Sequence, residues 1–177
     1  MPSDATSRLH PQRPIVGVGV VVWRGDSVLL VRRGKEPNKG QWSIPGGAQQ
    51  LGETVFAAAA REVLEETGLE VEVRALVDVV DGIMQEAGRV VYHYTLVDVV
   101  AESLEGEPVA GDDAAAVGWF TLEELPALQL WSETERIIRE SVARLEQQGR
   151  YLRLLRQPAC VLLTMGRLWN TGACPIV

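Results

Sequence analysis

Residues 37–52 carry glycines at positions 40, 46, 47 and 52 together with Pro37, Asn38 and Pro45, and a strong helix former follows without a break. So many turn residues do not belong inside a regular element, so the stretch is predicted to be a long structured loop, a kind of segment that in compact domains is usually functional. A helix is predicted over Thr54 to Thr67. Ala57 to Ala60 and the Arg, Glu and Leu residues after them favour it, and Gly68 stands where a left-handed C-terminal cap is wanted.

Inside that helix, Glu62, Glu65 and Glu66 are spaced by three and four, which puts them on one face with Cβ atoms about 5–6 Å apart. Taken alone, this is what a solvated acidic face looks like, with Arg61 paired to Glu65, and the repulsion amounts to only a few tenths of a kcal/mol per pair. The surroundings argue for more. Phe56, Ala59, Ala60, Val63 and Thr67 form an opposite face that can bury, which turns the carboxylates toward the glycine loop. Hard cations such as Mg²⁺ take oxygen ligands at about 2.0–2.1 Å, and glycines let backbone carbonyls approach closely. Just upstream, Arg32, Arg33, Lys35 and Lys39 form a basic cluster broken in charge only by Glu36. A metal ion and an anionic substrate therefore have adjacent places.

At 177 residues the chain is expected to be one domain with room for an appendage, since a domain takes roughly 100–200 residues. Apolar residues are 46% and charged residues 23%, a composition of ordinary soluble chains. With 17 basic against 24 acidic residues the net charge is −7, which disfavours stable nucleic-acid binding and attraction to anionic membranes. The apolar stretch Ile15 to Val22 is far shorter than the roughly 20 residues that span a bilayer, so no membrane segment is expected. Cys160 and Cys174 fit neither a CxxC pair nor a metal finger, and reduced thiols and a cytoplasmic location are the expectation. Residues 1–13 are expected to be a flexible leader, 14–146 the domain, and 147–177 an extension of unassigned role, with four arginines and no acidic residue.

Val- and Leu-rich runs predict a hairpin from Ile15–Trp23 and Ser27–Arg33 around Arg24-Gly25-Asp26, then strands at Val71–Val80, Val90–Val100 and Val117–Phe120. Capping-box spacings at Thr121/Glu124 and Ser132/Glu135 predict two closing helices. Pro126 is expected to end the first early; the second runs to about Gln148, burying Ile138, Val142 and Leu145, with Gly149 as its stop. The order β-β-α-β-β-β-α-α implies an α/β class with helices packed on a mixed sheet.

Gly47, five residues, Glu53, seven residues, then Arg61-Glu62-Val63-Leu64-Glu65-Glu66-Thr67-Gly68-Leu69 resembles the complete Nudix box, and Gln41-Trp42-Ser43-Ile44-Pro45-Gly46 extends the likeness upstream. Gln50 departs from the Glu that many relatives carry, which implies a tuning effect outside the invariant pattern. The resemblance implies the Nudix α/β/α sandwich with a mixed sheet. It also implies Mg²⁺- or Mn²⁺-assisted attack of water on a nucleoside diphosphate linked to another moiety. Carried over by residue, Glu62 and Glu66 resemble the main metal ligands, Glu65 a further one, the Gly46 carbonyl a backbone ligand, and Glu53 with Arg61 the pair that orients the helix. The family often draws a further carboxylate from outside the box, for which Asp112 or Asp113 is preferred over the more remote Glu107.

Arg33 and Lys39 are candidate phosphate contacts, while Trp42 is read as core before base-stacker and His93 as structural or exposed before cleft residue. For the substrate, ADP-ribose or another nucleoside diphosphate sugar comes first, although Met84-Gln85-Glu86 stand where ADP-ribose hydrolases of the family often carry a proline. A (d)NTP pyrophosphatase clearing damaged nucleotides is the second reading. A non-catalytic nucleotide-sensing module is the third, disfavoured by the undamaged box and the lack of a helix-turn-helix pattern. A homodimer is an open expectation because many relatives pair.

Overall fold

The computed structural model describes residues 8–35, 38–103, 105–111 and 114–149, and the backbone of 150–155. Strand β1 (Ile15–Arg24) sets the architecture, because its apolar side chains run on both faces: Val18, Val20 and Val22 point to one side, Val21 and Trp23 to the other, all at most 6% exposed. A strand apolar on both faces must be covered on both. Helix α1 (Val55–Thr67) covers the first side through Ala58, Ala59 and Val63. Helix α2 (Ser132–Leu155) covers the second through Ile137 and Ile138, with Val142 and Leu145 packed behind. The Trp23 indole N–H donates to Ser141 Oγ at 2.8 Å and ties α2 to the central strand.

Between the helices lies a seven-stranded mixed sheet. β1 pairs in parallel with β6 (Arg89–Ser103) from Ile15 to Trp23 and antiparallel with β2 (Ser27–Arg33) beyond a turn at Gly25, φ 59°. β3 (Trp42–Ser43) and β7 (Ala114–Thr121) join β2, while β5 (Val71–Glu86) lies along β6 at the other edge. β4 (Gly46–Ala48) pairs with the first half of β1. The result is the α/β/α sandwich expected from the element order.

Several details correct the expectations. The glycine segment is not all loop, since β3 and β4 fold back on the sheet within it. β5 and β6 outrun the predicted Val-rich cores because their polar ends pair with each other, Glu86 opposite Arg89, around Ala87-Gly88 at φ 47° and 76°. The first closing helix is a short 3₁₀ turn, Leu125–Leu128; of the expected Thr121/Glu124 capping box the reach-back contact is present, Glu124 accepting from the Thr121 N–H at 2.7 Å and its hydroxyl at 3.0 Å. Gly149 does not stop α2, which runs to Leu155; one glycine weakens a helix by only about 1 kcal/mol, and the Arg and Leu residues after it are good helix formers. On α1, Phe56 stays exposed in the first turn, and the small Ala58 and Ala59 make the contact with the sheet. Among the described residues no helix is long and apolar enough to cross a membrane. Cys160 and Cys174 lie outside the described residues.

Candidate active site

Thr54 starts α1 by accepting from the Ala57 N–H at 3.1 Å, and Gly68 ends it at φ 69° with its N–H on the Leu64 carbonyl. This frames the helix so that its acidic stripe meets β4. Gly46 lies opposite Gly19 and Gly47 opposite Val18. Neither position has room for a side chain: a Cβ on Gly46 would come 2.2 Å from the Val18 carbonyl oxygen, and one on Gly47 2.4 Å from Glu62 Oε1. The Glu62 carboxylate thus sits over bare backbone, and Glu66 Oε2 accepts the Gly46 N–H at 3.1 Å.

Arg61 organises the rest. Its Nη2 and Nε donate to the two oxygens of Glu53 at 2.7 and 3.1 Å, a bidentate pair, and Nη1 donates to Glu62 at 2.7 Å and Glu65 at 3.1 Å. Glu53 also accepts the Gln50 N–H at 2.6 Å. The Arg61 hydrogen bonds and then that backbone N–H hold the Glu53 carboxyl below the usual carboxylate range, while Glu53 raises the guanidinium further. Glu65 is the solvent-side member, its side chain 57% exposed against 13% for Glu62.

The available donors are three carboxylates and the backbone of Gly46, all hard oxygens, and in kind they suit a divalent cation such as Mg²⁺. Glu62 and Glu65 accept from Arg61 and Glu66 accepts the Gly46 N–H, so each of the three acids on this one helix face is held by a hydrogen bond. Among the described residues no group of three His, Cys, Asp or Glu is already closed on one point.

These residues open on a cleft of about 950 Å³. Arg8, Arg32, Arg33 and Lys35 line it, as do Tyr92, Tyr94, Asp98 and Trp131. Of the two phosphate candidates, the structure brings Arg33 to the cleft; Lys39 is exposed and not among the lining residues. Asp112 and Asp113 lie outside the described residues; just before them, the Gly111 N–H donates to the Glu66 carbonyl at 2.9 Å, and just after them Ala114 lines the cleft. Glu107 turns to Arg24 at 3.2 Å and is mostly exposed. Trp42 packs edge-on against Phe120 at 4.9 Å beside the second core cluster, as the core reading expects. His93 lies opposite Ile83 and is not a lining residue, whereas its neighbours Tyr92 and Tyr94 are.

Sequence reasoning passed over Tyr92, Tyr94, Asp98 and Trp131 as site candidates. A signal existed for Asp98: it interrupts the apolar run from Leu96 to Ala101 at even spacing from Tyr92 and Tyr94. It is 5% exposed, and burial pushes its carboxyl up to about 6, with the charge of Asp78 adding to the effect and Arg136 opposing it.

A glycine strand against an acidic helix stripe, opening on a basic cleft in an α/β/α sandwich, defines a hydrolase of phosphoric anhydrides in small nucleotides. The chain belongs to the Nudix family: the family model described as NUDIX domain matches residues 13–141. The chain is 36% identical over 128 residues, 72% of each chain, to an ADP-ribose pyrophosphatase from Methanocaldococcus jannaschii. It is 41% identical over 112 residues, 63% of this chain and 75% of the relative, to putative 8-oxo-dGTP diphosphatase 2 from Mycobacterium tuberculosis. The crystal structure of a MutT Nudix hydrolase from Burkholderia pseudomallei superposes with a TM-score of 0.64 at 34% identity, covering 73% of this chain and 98% of that one.

Proposed function

We propose that this pyrophosphohydrolase cleaves the diphosphate of ADP-ribose or another nucleoside diphosphate sugar with the help of Mg²⁺ or Mn²⁺. The observation that carries the reading is the Arg61 grip on Glu53, Glu62 and Glu65 beside Glu66 on Gly46, at the edge of a cleft lined by Arg32, Arg33 and Lys35. Glu62 and Glu66, with Glu65 and the Gly46 carbonyl, would hold the metal, which when bound supplies Lewis acidity and lowers the pKa of water. Glu53 and Arg61 keep the helix and its acids in register with the glycine strand. Arg33 with Lys35, in place of Lys39, meets the phosphate oxygens. Asp112 or Asp113 takes the proton of the attacking water. The water oxygen bonds to one phosphorus, the bridging oxygen leaves on the other phosphate, and the products are AMP and ribose 5-phosphate.

The similarity to the relative named putative 8-oxo-dGTP diphosphatase 2 favours a second reading, in which a purine nucleoside triphosphate is cleaved to the monophosphate and pyrophosphate. Hydrolysis of ADP-ribose and dGTP measured side by side with Mg²⁺, products separated by ion exchange, decides between the two. Silence on both, with metal bound and the fold intact, calls for a wider panel of nucleoside diphosphate sugars and triphosphates and counts in favour of the nucleotide-sensing module. Asp112→Asn and Asp113→Asn made separately test the base: if neither lowers turnover, it lies elsewhere.

A further inference from the structure

We propose that Gly111 is a positioning residue for the metal site, its backbone docked on the last turn of α1 so that Glu65 and Glu66 are held where a divalent cation needs them. The inference rests on the reading that these carboxylates bind the metal, and it holds for a diphosphate sugar and for a triphosphate alike.

Glu65 and Glu66 stand at the weak end of their helix. α1 ends at Thr67, so both belong to its final turn, and Glu62 lies further in. A helix leaves its last four carbonyls without partners inside the helix, and an end left so frays. Metal ligands need the opposite, a geometry held to within about 0.5 Å by the groups around them. The Gly68 N–H takes the Leu64 carbonyl at 2.9 Å. Two more carbonyls are taken from outside the helix: the Val109 N–H donates to Thr67 at 2.8 Å and the Gly111 N–H to Glu66 at 2.9 Å. The connection between β6 and β7 thus caps α1, and it does so on the carbonyl of a candidate ligand.

Only glycine fits at 111. A Cβ there would come 2.2 Å from the Glu65 carbonyl oxygen and 3.3 Å from the Glu66 Cα, backbone atoms that cannot swing aside as the end of a side chain can. Val109 is 70% exposed, so its hold on the helix comes from its amide.

The start of the same connection is anchored on the core. Arg24, the last residue of β1, donates from Nη1 to the Gly106 carbonyl at 2.7 Å and to Glu107 at 3.2 Å. Its guanidinium lies 4.1 Å from the centre of the Trp119 ring, and Trp119 packs against the core cluster that α1 helps to build. The exposed ion pair with Glu107 contributes little, whereas the bond to the carbonyl and the ring beneath the guanidinium fix the anchor. Gly106, at φ 96°, comes against Leu69, just beyond the end of α1, where a Cβ would lie 3.3 Å from Cδ2. The connection is therefore held on β1 at one end and on α1 at the other. If its docking raises metal affinity, bound metal must strengthen the docking in return, since coupling between two binding events is reciprocal.

The test measures metal binding directly. Mn²⁺ binding to the substrate-free protein, followed by electron paramagnetic resonance, should be weakened about tenfold or more in Gly111→Ala, the loss typical for removal of a partner that orients a metal ligand. The Mg²⁺ concentration for half-activation should rise by the same factor. Arg24→Gln frees the far anchor while leaving α1 and Gly111 unaltered, and should weaken Mn²⁺ by a smaller factor. Ile138→Val, which loosens the core on the α2 side, should leave Mn²⁺ binding unchanged; an equal loss there would trace the effect to stability and overturn the proposal. In the wild type, Mg²⁺ should slow hydrogen exchange at the Val109 and Gly111 amides. A folded Gly111→Ala protein with wild-type Mn²⁺ affinity overturns the proposal, and so does Mg²⁺ that leaves both amides unaffected. Should Gly111→Ala not fold, unchanged Mn²⁺ affinity in Arg24→Gln overturns it. Glu66→Gln separates the two readings. If it binds Mn²⁺ as the wild type does, the metal lies elsewhere and the functional reading falls together with the proposal; if it loses Mn²⁺ while Gly111→Ala keeps it, only the proposal falls.

Discussion

Arg61 grips Glu53 in a fork, two nitrogens on two carboxylate oxygens at 2.7 and 3.1 Å, while its third nitrogen reaches Glu62 and Glu65. Arg61→Lys keeps the charge and loses the fork. Because partners that orient metal ligands typically contribute 10–100-fold to metal affinity or activity, kcat should fall by about that factor and the Mg²⁺ concentration for half-activation should rise. Full activity in this variant would remove Arg61 from the positioning role.

Glu66 and Glu65 differ in setting, one bound to the Gly46 N–H and the other mostly exposed. Glu66→Gln should lower Mg²⁺-dependent turnover by about 10²–10³-fold, a loss typical for removal of one well-aimed electrostatic group. Glu65→Gln should cost less. Equal effects in a Mg²⁺ titration would contradict the ordering.

Gly46→Ala and Gly47→Ala should fail in different ways. A Cβ at 46 meets the Val18 backbone, whereas one at 47 meets the movable end of Glu62. Overpacking against backbone should destabilise Gly46→Ala by about 1–3 kcal/mol, visible in chemical denaturation. Gly47→Ala should fold almost normally and lose activity as Glu62 is displaced. An active Gly47→Ala would mean that the carboxylate does not need its place over the strand.

Asp98 makes stability depend on pH. Its folded value of about 6 lies above the ordinary 3.8, so the native state holds the proton more tightly than the unfolded chain. The stabilisation from that difference is fully present below pH 4 and lost as pH rises through 6, and amounts to about 3 kcal/mol at most. Asp98→Asn has no such group, so the stability of the wild type relative to the variant should decline from pH 4 to pH 7. Parallel stability curves across that window would show that the carboxyl titrates normally.

The box and its helix were legible because each residue there serves local geometry and chemistry at once: Thr54 and Gly68 cap, Ala58 and Val63 bury, Glu62 and Glu66 turn to the glycine strand. Central strand β1 was legible from its unbroken apolar run. Helix ends were less so, since Gly149 signals a stop only when the residues beyond it cannot continue the helix. The far wall of the cleft was hidden for a different reason. Tyr94 and Asp98 on β6 and Trp131 before α2 are distant in sequence from the glycine segment and α1, and they reach the same cleft only because β6 lies parallel to β1 and α2 packs on that side. Neither relation has a local pattern.

Strand β4 has a thermodynamic consequence beyond holding Gly46 and Gly47. It is zipped to β1 from Gly17 to Gly19, with the Val20 N–H on the Pro45 carbonyl at 2.9 Å and the Gln49 N–H on the Val16 carbonyl at 3.1 Å. The glycine segment cannot open without parting hydrogen bonds of the most buried strand in the sheet. A ligand arriving there meets a backbone already in place, so little of its affinity is consumed in ordering the chain. Occupancy should then be readable at a distance, as slower amide hydrogen exchange along the first half of β1.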